Sequence, residues 1–124
     1  MTTNTKTMTT QEVANRLVDL CRKGQIAEAQ EELFADEVTS TEPPHGPVKS
    51  AKGKKAVAQK GAEFAGMIET RHGGSFSDPI VGGRYFSFAM ILDATFKGQG
   101  RMTLEEICVF EVKDGKVVSE QFFY

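Results

Sequence analysis

The stretch VFEVKDGKVV, Val109–Val118, decides the fold class, because its alternating apolar residues flank the tight turn Asp114-Gly115. Asp-Gly between two such runs is a strong short-range signal for a β-hairpin. We therefore predict strands over Arg101–Val112 and Lys116–Tyr124. Strands joined by a tight turn pair antiparallel, so the C-terminal half of the chain is expected to form an antiparallel sheet.

Strand patterns extend back from this hairpin, and helical spacing replaces them before residue 69. Further strands are predicted over Glu69–Ser77, with a bulge at Gly73-Gly74, and over Arg84–Phe96. Three helices are predicted upstream from apolar residues that recur every three or four positions. The first follows a Thr9/Glu12 capping box and stops at Gly24, the second runs from Ile26 to Asp36-Glu37, and the third starts at Gly53. A short extended piece, Val38–Glu42, separates the last two helices. Helices segregated from antiparallel hairpins predict an α+β fold, with three N-terminal helices packed on a curved, mainly antiparallel sheet.

Length and composition favour one globular domain without a strong electrostatic partner. The chain has 124 residues, of which 40% are hydrophobic, and its net charge is −2. Such a balance gives no field for nucleic acid or an anionic membrane. Residues 1–8 are polar and predict a disordered tail before a domain at 9–124, and they do not resemble a signal peptide. Since no window approaches the roughly 20 apolar residues of a membrane span, we expect a cytoplasmic protein.

Cysteine and histidine usage argues against a metal or a disulfide. Cys21 and Cys108 lie far apart and are expected to be reduced thiols. His45 and His72 are also distant from each other, with no partners at metal-ligand spacing. We therefore expect no metal and no cofactor. His72 is interpreted as an exposed strand residue.

Alternation along the strands gives the sheet two apolar faces. Met102, Leu104, Glu106, Cys108 and Phe110 share one face of their strand. The opposite face carries Ile107 and Val109 on this strand and Ile91 on its neighbour. One face is expected to pack against the helices or to line a cavity, and the other is expected to form a homodimer interface.

Two acids interrupt these apolar rows. Glu106 lies between Leu104 and Cys108, and Glu120 alternates with Phe122 and Tyr124. A carboxylate among apolar side chains must be solvated, paired or protonated. Two interpretations stay open: pairing with a neighbouring Arg or Lys at a strand edge, or a place in a ligand pocket.

Three parts of the chain resemble SnoaL-like proteins and ketosteroid isomerases of the nuclear-transport-factor-2-like superfamily. They are GQIAEA at Gly24–Ala29, LFADEVTSTEP at Leu33–Pro43, and the final hairpin Val109–Val118. Gly53 before the third helix matches as well. The resemblance spans 9–124 and implies a cystatin-like cone around one pocket for a small apolar molecule.

Carried over residue by residue, the resemblance places Glu42 at the position of the isomerases' general base. Glu106 and His45 are then the candidates to assist it in proton transfer. His45 also has a simpler interpretation as an exposed loop residue. The positions expected to contact ligand are Leu17, Phe64, Phe88, Met90, Leu92, Cys108, Phe110, Glu120, Phe122 and Tyr124.

The chain departs from the isomerases where they stabilise negative charge. Their tyrosine on the first helix corresponds to Leu17, and their protonated acid falls near Cys108 or Glu106. Loss of such a donor costs several kcal/mol of transition-state stabilisation, so steroid isomerisation is not expected. Three functions stay open: cofactor-independent isomerase or cyclase chemistry on a small apolar carbonyl compound, non-catalytic binding of a hydrophobic molecule, and a dimeric interaction domain.

Overall fold

A computed structural model describes residues 7–124. Its elements, in chain order, are α1 (Thr10–Arg22), α2 (Ile26–Leu33), β1 (Phe34–Thr41), β2 (Ala51–Lys52), α3 (Lys54–Gly66), β3 (Ile68–Phe76), β4 (Ile80–Gly82), β5 (Tyr85–Phe96), β6 (Gly100–Lys113) and β7 (Lys116–Phe123).

Helix α1 begins and ends where the local sequence predicts. The Thr9 hydroxyl accepts a hydrogen bond from the Glu12 amide at 3.1 Å, and the Glu12 carboxylate accepts one from the Thr9 amide at 2.9 Å. This confirms the predicted capping box. Gly24 ends the first helical segment with a φ of +73°, a conformation that glycine adopts without strain.

Helix α2 is shorter than the sequence pattern predicts. It ends at Leu33, and Phe34 is already extended, with φ −88° and ψ 138°. The prediction that Asp36 and Glu37 end the helix was therefore wrong. The reason is tertiary, because the chain from Phe34 onward forms β1 and pairs with β7 at the far end of the sequence.

The strands form one sheet in the order β2-β1-β7-β6-β5-β3, with β4 paired to β5. Every pairing is antiparallel except that between β1 and β7. The predicted α+β class and mainly antiparallel sheet are confirmed. The short strands β2 and β4 were not predicted, since two or three residues carry too little pattern to detect.

Strand β3 contains a bulge beside the Gly73-Gly74 pair, where the sequence predicted one. The register between β3 and β5 shifts between Arg71 and Gly73. A Cβ on Gly74 would lie 2.5 Å from the Ile91 carbonyl oxygen, so only glycine fits this approach of two strands. His72 lies on the exposed side of the strand, where its Nε2 is 2.7 Å from the Thr95 hydroxyl.

The helices cover one face of the sheet, and the core lies between them. The buried residues of β5 and β6 are alternate ones, such as Phe86, Phe88, Cys108 and Phe110. Three of these rings stack, with centroids 4.7 Å apart for Phe86–Phe110 and 5.2 Å apart for Phe88–Phe110. Much of the space under the helices is therefore filled by aromatic side chains.

The expected tail, residues 1–8, falls mostly outside the described residues. Met8, however, packs against the core. Among residues 7–124, no helix combines the length and apolar character needed to cross a membrane.

Candidate functional site

Glu42 lies just past the end of β1 and turns towards the interior. Val38, Ser40 and Glu42 alternate along the strand, so their side chains share the face that the helices cover. Pro43 follows and, with the other prolines, directs the chain into a loop. The Glu42 side chain is only 8% exposed.

Both carboxylate oxygens of Glu42 have partners. Oε1 accepts a hydrogen bond of 2.7 Å from the Tyr124 hydroxyl. Oε2 is 2.5 Å from Nζ of Lys60. Since each carboxylate oxygen has two acceptor sites, the group can still accept a proton or a ligand hydrogen bond.

Lys60 is held on the inner face of α3. Val57, Lys60 and Phe64 are spaced three and four residues apart and so share one side of the helix. The ammonium group also donates to the Ser40 hydroxyl at 2.7 Å, and it lies 5.0 Å from the centre of the Phe122 ring. Its side chain is 12% exposed, so this positive charge lies almost wholly inside the protein.

Ser40 links the lysine to a buried carboxyl group on the neighbouring strand. The parallel register of β1 and β7 places Ser40 directly beside Glu120. The Ser40 hydroxyl donates to Glu120 Oε1 at 2.7 Å, and Glu120 is 6% exposed. Burial raises the pKa of Glu120 to about 7, although the Ser40 hydrogen bond and the Lys60 charge act in the opposite direction.

Glu106 completes the group of acids. It is half-buried on the inner face of β6, and burial raises its pKa to about 7. The charge of Glu42 adds to this rise, and the charge of Lys60 opposes it. We call Glu42, Glu106 and Glu120 with Lys60 the acid cluster, because all three carboxyl groups interact with the same ammonium group.

Neither Glu106 nor Glu120 forms the strand-edge ion pair that one interpretation of the sequence offered. Among the described residues, the cation that acts on both is the interior Lys60. Glu120 is buried and Glu106 is half-buried on the inner face of β6, so the strand-edge interpretation does not describe them.

His45 lies beside Tyr124. Its Nε2 is 2.9 Å from the backbone oxygen of Tyr124, and the two rings meet edge to face at 5.9 Å. Next to it, Gly46 is so close to the tyrosine that an added Cβ would clash with the Tyr124 hydroxyl oxygen. Loss of hydration, then the hydrogen bond to Glu42, raise the pKa of Tyr124.

The apolar residues that were expected to contact a ligand belong to two separate apolar clusters. Leu17, Phe88, Cys108 and Phe110 are buried in the main core. Met90 and Phe122 are only partly buried at its edge. Phe64 and Leu92 belong to a second apolar cluster with Phe96, whose ring lies 5.9 Å from that of Phe64.

Two clefts on the protein surface lie away from the acid cluster. One, of about 470 Å³, is lined mainly by α1 with Asp78 and Pro79. The other, of about 320 Å³, lies between the N-terminal segment and the final hairpin turn. Neither is lined by a carboxyl group of the acid cluster.

The described residues contain no group of three His, Cys, Asp or Glu side chains placed to hold a metal ion. Cys21 and Cys108 are both free and buried. Burial raises the pKa of Cys21 to about 12, and it also raises the pKa of Cys108. Neither thiol is therefore an activated nucleophile.

Comparison with known proteins assigns the family. The model of the SnoaL-like domain matches residues 8–124. The chain belongs to the SnoaL-like family. A search of curated proteins found no match. Among solved structures, this SnoaL-like chain is 36% identical to a candidate SnoaL-like polyketide cyclase from Mesorhizobium loti, whose name also carries the term carbohydrate phosphatase. The match covers 94% of this chain and 100% of that one, with a TM-score of 0.88.

More distant structures share the fold alone. A protein from Catenulispora acidiphila with a ketosteroid isomerase-like fold, solved with trimethylamine, is 19% identical. The match covers 94% of this SnoaL-like chain and 87% of that one, with a TM-score of 0.72. A candidate SnoaL-like polyketide cyclase from Jannaschia sp. is 15% identical over 99% and 90% of the two chains, with a TM-score of 0.73.

Sequence reasoning missed Lys60 and Ser40. Both had a detectable signal, because Lys60 shares the helical spacing of Val57 and Phe64, and Ser40 alternates with Val38 and Glu42. A lysine on an apolar helical face needs a buried anion, and Glu42 is the acid that the structure places beside it.

Proposed function

We propose that this SnoaL-like protein catalyses proton transfer on a small, uncharged, apolar carbonyl compound, as a cofactor-independent isomerase or cyclase. The single observation that carries the proposal is the acid cluster, in which Glu42 meets Lys60 at 2.5 Å and two further carboxyl groups share the same interior. A set of nearby carboxyl groups with different environments is what general acid–base catalysis requires.

Glu42 is the proposed general base. It is held between Tyr124 and Lys60, and its carboxylate retains free acceptor sites. Glu106 is the proposed general acid, because a pKa of about 7 keeps a large fraction of it protonated near neutral pH. His45 is assigned a lesser part, since its ring contacts Tyr124 and so helps to place the tyrosine hydroxyl at Glu42.

The charge of the cluster supports an uncharged substrate. Three acids face one lysine, so an anionic group entering the site would meet net repulsion whenever more than one acid is ionised. A phosphate ester is therefore disfavoured as the substrate, although the term carbohydrate phosphatase in the name of the Mesorhizobium relative would imply one. The polyketide cyclase in the same name fits an uncharged carbonyl substrate better.

The apolar part of the substrate is proposed to contact the partly buried side chains near the cluster. Met90, Phe122 and Phe64 are each only partly buried. Leu17, Phe88, Cys108 and Phe110 would form the floor beneath them. Leu92, on β5, belongs to the same cluster as Phe64.

The test uses β-tetralone, a small apolar ketone with acidic α-hydrogens. In deuterium oxide the wild-type protein is expected to speed exchange of the α-hydrogens, followed by proton NMR. Glu42→Gln should reduce this rate by about 100-fold or more, the contribution of a general base. Glu28→Gln is the matched control, since Glu28 is exposed on α2, away from the acid cluster and the sheet. Unchanged exchange in Glu42→Gln would show that Glu42 is not the base.

A second candidate function is binding without catalysis. The observation that favours it is the low exposure of Glu42, whose two oxygens already have protein partners. Such a protein would hold an apolar molecule, and the structure of the Catenulispora protein in complex with trimethylamine supports this proposal. Native mass spectrometry of freshly purified protein distinguishes the two: a co-purifying molecule recovered chemically intact after incubation supports binding alone.

We also propose that the protein is a cytoplasmic homodimer formed through the outer face of the sheet. Exposed apolar side chains gather there: Ile107 is 47% exposed and pairs in register with Phe123, which is 49% exposed. Ile91 and Val109 extend the patch on the same face. An exposed apolar surface of this kind is typical of an interface between subunits.

A further inference from the structure

We propose that Lys60 is the positioning residue of the acid cluster: it fixes the Glu42 carboxylate in place, and Ser40 with Glu120 fixes Lys60. This inference rests on the proposed function of Glu42 as base. It assigns a role to a residue that the sequence pattern and the family comparison left without one.

The contacts of Lys60 fix its ammonium group from several sides. A lysine has three N–H donors and a flexible chain, so it holds a fixed place only when several groups bind it. Here two donors go to Glu42 and Ser40, at 2.5 and 2.7 Å. The face of the Phe122 ring, 5.0 Å away, gives further attraction to the charge.

Ser40 is suited to join two charged groups because a hydroxyl both accepts and donates. It accepts from Lys60 and donates to Glu120, and it is completely buried. Its position is set by the paired backbones of β1 and β7, since Ser40 and Glu120 are register partners. The ammonium group is thus anchored to the sheet, although it is carried by a helix.

The same contacts fix the base. Glu42 lies one residue beyond the end of β1, where the strand no longer restrains it. Its carboxylate is held by Tyr124 on one oxygen and Lys60 on the other. Tyr124 is 40% exposed and lies against a loop, so Lys60 is the more rigid of the two supports. Misplacement of a catalytic group by about 1 Å can cost roughly 100-fold in rate.

The kinetic test compares Lys60→Met with Lys60→Arg, using exchange of β-tetralone. A positioning role predicts that Lys60→Met lowers kcat by about 100-fold and changes KM by less than about threefold. Lys60→Arg keeps the charge and should recover part of the loss. Lys55→Met is the matched control, because Lys55 is exposed on the same helix. Unchanged kcat in Lys60→Met, or a rise in KM alone, would overturn the proposal.

If Lys60→Met is too unstable to purify, Ser40→Ala provides a second test of the positioning role. It leaves the lysine charge in place and loosens its anchor, so kcat should fall by roughly tenfold, the value of one hydrogen bond. A crystal structure of either variant gives a readout without substrate. Glu42 leaving the Tyr124 hydroxyl supports the positioning role, even if no ketone is turned over and the proposed function fails. Glu42 unmoved in both variants overturns it.

Discussion

Replacing Glu120 with glutamine should make the protein more stable at alkaline pH while leaving it nearly unchanged at acid pH. The folded state raises the pKa of Glu120 from 4.5 to about 7. Between these two values the folded protein binds the proton more tightly than the unfolded chain does. The stabilisation that the folded state gains from binding the Glu120 proton is therefore complete below about pH 4.5. It is lost as the pH rises through 7 and does not return at higher pH.

The size of the effect follows from the two pKa values. A carboxyl pKa moved from 4.5 to about 7 corresponds to about 3 kcal/mol in the free energy of unfolding. Glutamine has nearly the same shape and can still accept from Ser40, but it never ionises. Relative to wild type, Glu120→Gln should gain up to about 3 kcal/mol between about pH 5 and pH 8.

The assay is urea unfolding followed by circular dichroism at several pH values across this range. Glu106 titrates in both proteins, so the difference between them isolates Glu120. Glu28→Gln, exposed on α2 and away from the sheet, is the control and should follow wild type across this pH range. A difference in stability that stays constant from pH 5 to pH 8 would refute the reasoning, because it would mean that Glu120 ionises in the fold as easily as in water.

Three other predictions follow from contacts around the site and the sheet. Gly46→Ala should break the Tyr124–Glu42 hydrogen bond, because the new Cβ would clash with the tyrosine hydroxyl oxygen. The raised pKa of Tyr124 should then fall towards its ordinary value near 10, as followed by ultraviolet titration. Gly66→Ala, with open space at its Cβ, is the control, and an unchanged titration in Gly46→Ala would contradict the contact. Ile107→Lys should convert a dimer into a monomer in light scattering, since it places a charge in the outer apolar patch. A wild-type monomer at micromolar concentration would rule out that interface. Cys21 and Cys108 should react slowly with a disulfide reagent until urea is added, because both thiols are buried with raised pKa values. Rapid reaction of the native protein would disagree.

Local patterns predicted most of the fold. The capping box at Thr9, the glycine stop at Gly24 and the Asp114-Gly115 turn depend on residues within a few positions of one another, so each could be identified directly. The end of α2 could not, because the extended conformation of Phe34 depends on pairing with β7 more than 80 positions away. The strands β2 and β4 are too short to show alternation.

The site was predicted only in part, for a related reason. Glu42, Glu106 and Glu120 were identified because each acid interrupts an apolar pattern or matches a family position. Their common partner Lys60 is on a helix, and nothing local links it to the strands. Only the packing of α3 against the sheet brings the lysine to Glu42 and Ser40. The sequence also favoured an open hollow, while the stacked rings of Phe86, Phe88 and Phe110 fill much of that space.

The central claim is that three carboxyl groups share one interior ammonium group, and a carboxyl carbon NMR titration of wild type and Lys60→Met tests it most directly. We predict midpoints of about 7 for Glu106 and Glu120 in wild type. Both midpoints should rise further in Lys60→Met, because the lysine charge lowers the pKa of each acid. Two midpoints near 4.5 that do not respond to loss of Lys60 would contradict the account.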